Sequence, residues 1–164
     1  FKNDRIRSEV LRDFVPQTRA DADMLMAIMR DAAGKELGEK ALFVLLKSRS
    51  QDFVDTLFKA VRHRPLAKGY LVQAVKLCGD LKVREAEQAL AEIFARKPFF
   101  YTKATDDIRV ACLVSLAQLG TERSIGLVRQ AHRDRSDAVR RMSSILDELG
   151  AQSRAGKGQE ARDG

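Results

Sequence analysis

Two histidines, two cysteines, a serine pair and two close acidic pairs are the residues of this 164-residue chain whose types could do chemistry. His63 stands in "VRHRP" and His132 in "AHRDR", each at the expected C-terminal end of a helix. A cation there complements the helix dipole. General-base chemistry would need a nucleophile beside the ring. Ser143-Ser144 qualifies by type, but no histidine lies near it in sequence to activate it. Cys78 and Cys112 both fall inside apolar stretches and form no C-x-x-C, so they read as small buried thiols in a reducing compartment, not a disulfide or a metal site. Asp106-Asp107 reads as helix-start chemistry and Glu85/Glu87 as a solvated face. Gly34 and Gly38 lack the phosphate-gripping G-x-x-x-x-G-K spacing. No catalytic, metal or cofactor set is expected, and no small-molecule substrate.

The elements that would position these residues are helical. Tryptophan is absent, prolines number 3 and aromatics make up 6%, which suits helices better than sheets. No apolar run reaches the roughly 18 residues needed to cross a bilayer. The expected location is cytoplasmic, or the cytosolic face of a membrane-anchored parent, since a first residue of Phe1 suggests a piece of a longer chain. Net charge is +7 and spread along the sequence, not gathered into one arm.

Nine stripes with helical spacing follow one another. Examples are Leu37, Ala41, Leu42, Leu45 and Leu46, then Phe53, Val54, Leu57, Phe58 and Val61. Pro16, Pro65 and Pro98 close three segments. Gly79, Gly120 and Gly150 are expected just past helix ends, and Ser50, Thr121 and Ser136 as N-caps. The seventh stripe, Ile108 to Leu119, has a second apolar face (Val110, Leu113, Val114, Ala117) and is expected to be buried on more than one side.

Ends of alternate stripes fall at Ser48, Gly79, Gly120 and Gly150, spacings of 31, 41 and 30 residues. The long interval holds the insertion "ARKPFFYTKATDD"; without it a two-helix unit recurs about every thirty residues, the mark of a stacked repeat. "DDIRVACLVSLAQLG" and "SDAVRRMSSILDELG" resemble the acidic–x–Val-Arg–x–Ala…Leu-Gly pattern of short HEAT repeats, the kind found in phycobilisome lyases and scaffold proteins. The resemblance is clearest over 66–150 and implies a right-handed α-α superhelix, a HEAT-like solenoid, spanning 1–150, with 151–164 as a polar flexible tail. Its enzymatic members imply features missing here. A deoxyhypusine-hydroxylase-type site needs His-Glu pairs, whereas His63 and His132 each precede Arg. An alkylpurine-glycosylase-type site needs Trp.

A non-catalytic protein-binding or scaffolding module is therefore expected. Its partner site is placed on the concave face and the inserted loop 96–104, where Phe99, Phe100 and Tyr101 stand between Arg96, Lys97 and Lys103. The turns between units also gather Arg62, Arg64, Lys68, Arg133 and Arg135 along one edge, which gives the alternative: a phosphate backbone of nucleic acid. The resemblance alone implies a further, weaker alternative, a HEAT-type lyase or other enzyme.

Overall fold

The computed structural model describes residues 4–31, 35–63, 68–96 and 102–160. Among them are nine α-helices and no strands: α1 Asp4–Asp13, α2 Arg19–Asp31, α3 Lys35–Lys47, α4 Gln51–His63, α5 Lys68–Asp80, α6 Glu87–Ala95, α7 Lys103–Leu119, α8 Glu122–Gln130 and α9 Asp137–Glu160. Short 3₁₀ turns, Arg84–Ala86 and Ala131–Arg133, precede α6 and follow α8. The all-helical reading of the sequence holds, and most stripe residues are buried at helical spacing, while Ile6, Val10, Met24, Ile145 and Leu149 stay exposed.

Neighbours follow a simple order. Odd-numbered helices touch the next odd one: α1 on α3, α3 on α5, α5 on α7, α7 on α9. The even series does likewise, α2 on α4, α4 on the first 3₁₀ turn, α6 on α8. Consecutive helices join the two series, most closely α2 with α3 and α6 with α7. Helix α7 touches α5, α6, α8 and α9. Accordingly Ala111, Cys112, Leu113, Ser115 and Leu116 are all buried, while Val110, Val114 and Ala117 are half-buried.

Long-range side-chain hydrogen bonds join helices of the same series. Lys40 reaches Ser8, Arg49 reaches Leu81 O, Gln73 reaches Glu39, Arg123 reaches Gln88, Ser124 reaches Glu87, Gln118 reaches Asp80 and Ser115 reaches Val75 O, separations of 32, 32, 34, 35, 37, 38 and 40 residues. These separations exceed the thirty residues expected from glycine positions.

The reason lies in which residues end the helices. Gly120 sits past α7 with φ 66, as expected, and its amide returns to Leu116 O. Gly79 lies inside α5 instead. A Cβ there would stand 2.1 Å from Gln118 Oε1 and 2.7 Å from Ser115 Cα, so this glycine lets α5 approach α7. The left-handed positions after α3 and α5 belong to Arg49 (φ 53) and Lys82 (φ 51), an uncommon conformation for side-chain-bearing residues.

Gly150 is also internal. Helix α9 runs through it to Glu160, across most of the segment expected to be a polar tail. Ala, Gln, Arg, Lys and Glu in that stretch are good helix formers, and extending an existing helix needs no new nucleus.

Capping is partly as expected. Thr121 Oγ1 accepts from Ser124 N (3.1 Å) and Ser136 Oγ from Val139 N (3.4 Å). Helix α7 starts from Thr102, in a reciprocal box with Thr105, and not from Asp106 or Asp107. Asp106 Oδ1 is instead buried with no hydrogen-bond partner among the described residues. A second box joins Thr18 and Asp21 before α2. Backbone donors Gln17 and Thr18 hold the Asp21 carboxyl below its ordinary range.

Candidate binding surfaces

A groove of about 810 Å³ crosses the odd-numbered helices near the start of the chain. Leu11 and Val44 form its buried floor, and Leu77 of α5 closes the far side. Two apolar side chains stand out of it: Val15, 64% exposed, and Phe43, 41% exposed. Its rim carries both signs of charge. Lys40 Nζ donates to Ser8 Oγ (2.5 Å) and pairs with Glu36 (2.8 Å), which lowers the Glu36 pKa. Gln73 Nε2 donates to Glu39 Oε1 (3.1 Å). Arg12 and Lys47 project from the rim into solvent.

Sequence reading missed this site. Phe43 falls beside the α3 stripe, and Val15 was overshadowed by Pro16 as a helix terminator. The available signal was an aromatic on a helix whose core face was already filled by Leu42, Leu45 and Leu46.

The basic edge is built differently. Arg109 of α7, only 3% exposed, organises it. Its Nε donates to Phe94 O (3.2 Å), and Nη1 and Nη2 donate to the two carboxylate oxygens of Asp134 (2.9 and 2.5 Å). The guanidinium also lies 5.0 Å from the Phe94 ring centre. One repeat later in sequence, Arg140 donates to Asp134 O (2.7 Å) and Arg135 O (3.2 Å) and pairs with Asp137. Arg109 and Arg140, of the matching pairs Ile108-Arg109 and Val139-Arg140, therefore both bind the turn at Asp134.

That latch changes the electrostatics of the edge. Asp134 and Asp137, the acidic residues on and beside this turn, are paired with Arg109 and Arg140. Arg133 and Arg135 remain exposed on the turn, with Arg96 exposed two residues beyond Phe94 and Lys103 exposed at the start of α7. Lys97, Phe99, Phe100, Tyr101 and Arg64 lie outside the described residues, as do the side chains of Arg62 and Lys68.

A third cluster brings a histidine to the serine pair in space, where the sequence places none beside it. Ser144 Oγ lies 3.3 Å from His132 Nδ1, and His132 Nε2 lies 3.5 Å from Asp147 Oδ2. The fold brings the 3₁₀ turn against α9, an approach that local sequence could not reveal. Ser144 also donates to Arg140 O (3.2 Å), and Arg129 shares Asp147 (3.7 Å). All four side chains are substantially exposed, so the cluster works as a tie between a turn and a helix. Ser143 is buried and donates to Val128 O (2.5 Å).

Cys78 and Cys112 are buried and unpaired, as expected. Burial pushes both thiols up to about 12, and their mutual proximity adds to the effect at Cys78. Neither is a nucleophile near neutral pH. Glu87 is the remaining shifted group. Burial pushes its carboxyl upward, but donors Ser124 (2.7 Å) and Thr121 and the charge of Arg123 outweigh that and lower it overall. No group of three or more metal-binding side chains occurs among the described residues.

No protein-family model, curated protein or solved structure matches this chain. Its reading rests on its own geometry. No described helix is long and apolar enough to cross a membrane.

Proposed function

We propose that the chain is a non-catalytic protein-binding module, a HEAT-like right-handed superhelix that receives a partner segment in the groove between α1 and α5. The regular odd-on-odd and even-on-even contacts, and long-range hydrogen bonds at separations of 32 to 40 residues, support the stacked architecture. The observation that carries the function is the groove: buried aliphatic floor, Phe43 and Val15 left in solvent, and a rim of mixed charge. A large aromatic standing at the lip of an apolar cleft is the usual form of an interaction anchor. Arg12 and Lys47 would favour acidic residues flanking the apolar contact.

The test uses a random peptide library displayed on phage and panned against the whole chain. Enriched sequences should carry spaced apolar residues with acidic neighbours, and Phe43→Asp should abolish their binding without changing the circular dichroism spectrum. Equal binding by Phe43→Asp would refute the groove assignment.

Neutralisation of Asp134 and Asp137 favours a second reading, binding of a phosphate backbone by Arg96, Lys103, Arg133 and Arg135. It predicts affinity for single-stranded oligonucleotides that falls steeply between about 50 and 200 mM salt. Affinity through the groove should change little over that range.

A further inference from the structure

Helix α9 is the longest described helix, 24 residues against 17 for α7. Its inner face is committed to the body: Val139 and Ser143 are buried, and Met142 and Leu146 pack partly against the core. Its outer flank is not covered. Ile145 and Leu149, one turn apart, are 50% and 55% exposed. Helices α4 to α8 expose no large hydrophobic side chain among the described residues, and the other exposed ones all lie between Ile6 and Phe43. The α9 pair is thus an isolated apolar patch at the opposite end from the groove.

Spacing and charge say what fits it. Ala138, Ile145, Leu149 and Gln152, with the half-buried Met142 at the border with the inner face, follow one another at intervals of 4, 3, 4 and 3, the spacing of a helix that pairs with another helix. Arg141 and Glu148 flank this seam, both exposed, and neither forms an ion pair with another described residue. They are seven residues apart, about 10 Å along the axis. Two such helices laid antiparallel, with Ile145 at the crossing point, set each Arg141 within about one residue of the opposing Glu148. The same operation lays Leu149 over the Met142 turn of the other copy. One surface complements itself in charge and matches apolar residues with apolar residues, which is what a two-fold interface requires.

We infer that α9 is the seam of a two-fold dimer of this chain, with Ile145 and Leu149 at its centre and two reciprocal Arg141–Glu148 pairs across the axis. The interface leaves the groove at the other end free, so each dimer would present two partner sites and gain avidity for a partner with two binding segments.

Sedimentation equilibrium over a wide concentration range tests it. The unmodified chain should show a reversible monomer–dimer equilibrium. Ile145→Glu should weaken dimerisation at least tenfold, and the exposed position leaves folding intact, as circular dichroism would verify. R141E and E148R should each weaken it several-fold, and the double variant R141E/E148R should restore it. Val10→Glu, on the exposed flank of α1, should leave it unchanged. A strictly monomeric chain, a double variant weaker than either single one, or a dimer broken by Val10→Glu would each overturn the inference.

Discussion

Helices α1–α3 and helices α5–α9 are held together by different means. In the first group the contacts are aliphatic: Leu25, Met26, Met29, Leu42, Leu45 and Leu46 are buried, and the described hydrogen bonds to other units sit on the groove rim. In the second, polar atoms cross the interfaces inside the body. Ser115 Oγ donates to Val75 O (2.7 Å), Ser143 Oγ to Val128 O, Glu87 accepts from Thr121 and Ser124, and Arg109 binds Asp134 and Phe94 O. Apolar contact is non-directional and tolerates small shifts. A satisfied buried network admits one arrangement and penalises the rest. The latched half is suited to hold geometry, and the aliphatic half to open a groove beside it.

The strongest way to break this contrast is at Arg109. Arg109→Met removes the two-pronged guanidinium contact from Asp134, whose side chain is 11% exposed and which keeps the Ser136 amide, and frees Phe94 O. Chemical denaturation should show a loss of about 3–5 kcal/mol, part of it recovered when Asp134→Leu removes the carboxylate that has lost its counter-charge. A loss below about 1 kcal/mol would mean that the turn is not latched.

Much of this was legible beforehand, and the exceptions have physical causes. Helix number and core stripes follow from the 3.6-residue period, which burial itself enforces. Glycine proved a poor marker of helix ends because it serves two other purposes here. Gly79 permits close approach, and Gly150 is merely tolerated within a well-formed helix. Arg49 and Lys82 take the left-handed turns without any compositional sign. The Arg109–Asp134 pair spans 25 residues and His132–Ser144 spans 12, distances over which types alone do not announce a contact. The matching pairs Ile108-Arg109 and Val139-Arg140 are visible in sequence, but their shared contact at Asp134 depends on the fold. Phe43 escaped notice because periodicity finds residues that are buried, and a binding residue on a helix surface is the one that is not.

A smaller effect sharpens the contrast at the α5–α7 contact. Gly79→Ala should cost about 1–3 kcal/mol, since Gln118 can swing aside but the Ser115 backbone cannot. Gly126→Ala in α8 meets nothing within 4 Å and should stabilise by about 0.5–1 kcal/mol through helix propensity. Thermal melts of the two variants should therefore move in opposite directions.

The smallest effect concerns acid. Glu87 has its carboxyl lowered in the folded chain, so its contribution is fully present above the unfolded value near 4.5 and is lost as pH falls through the lower folded value. Glu87→Gln should be somewhat less stable than the parent at pH 7 and should close that gap as the pH falls below about 4. Parallel curves for the two proteins would remove Glu87 from the latch.

Hydrogen exchange of the native chain under mild denaturant tests the division most directly. Amides of α1 and α2 should exchange through openings of low free energy, while those of α7 and the inner part of α9 exchange only with global unfolding. Uniform protection from α1 to α9, or a more persistent α1, would contradict a groove-bearing half carried on a latched one.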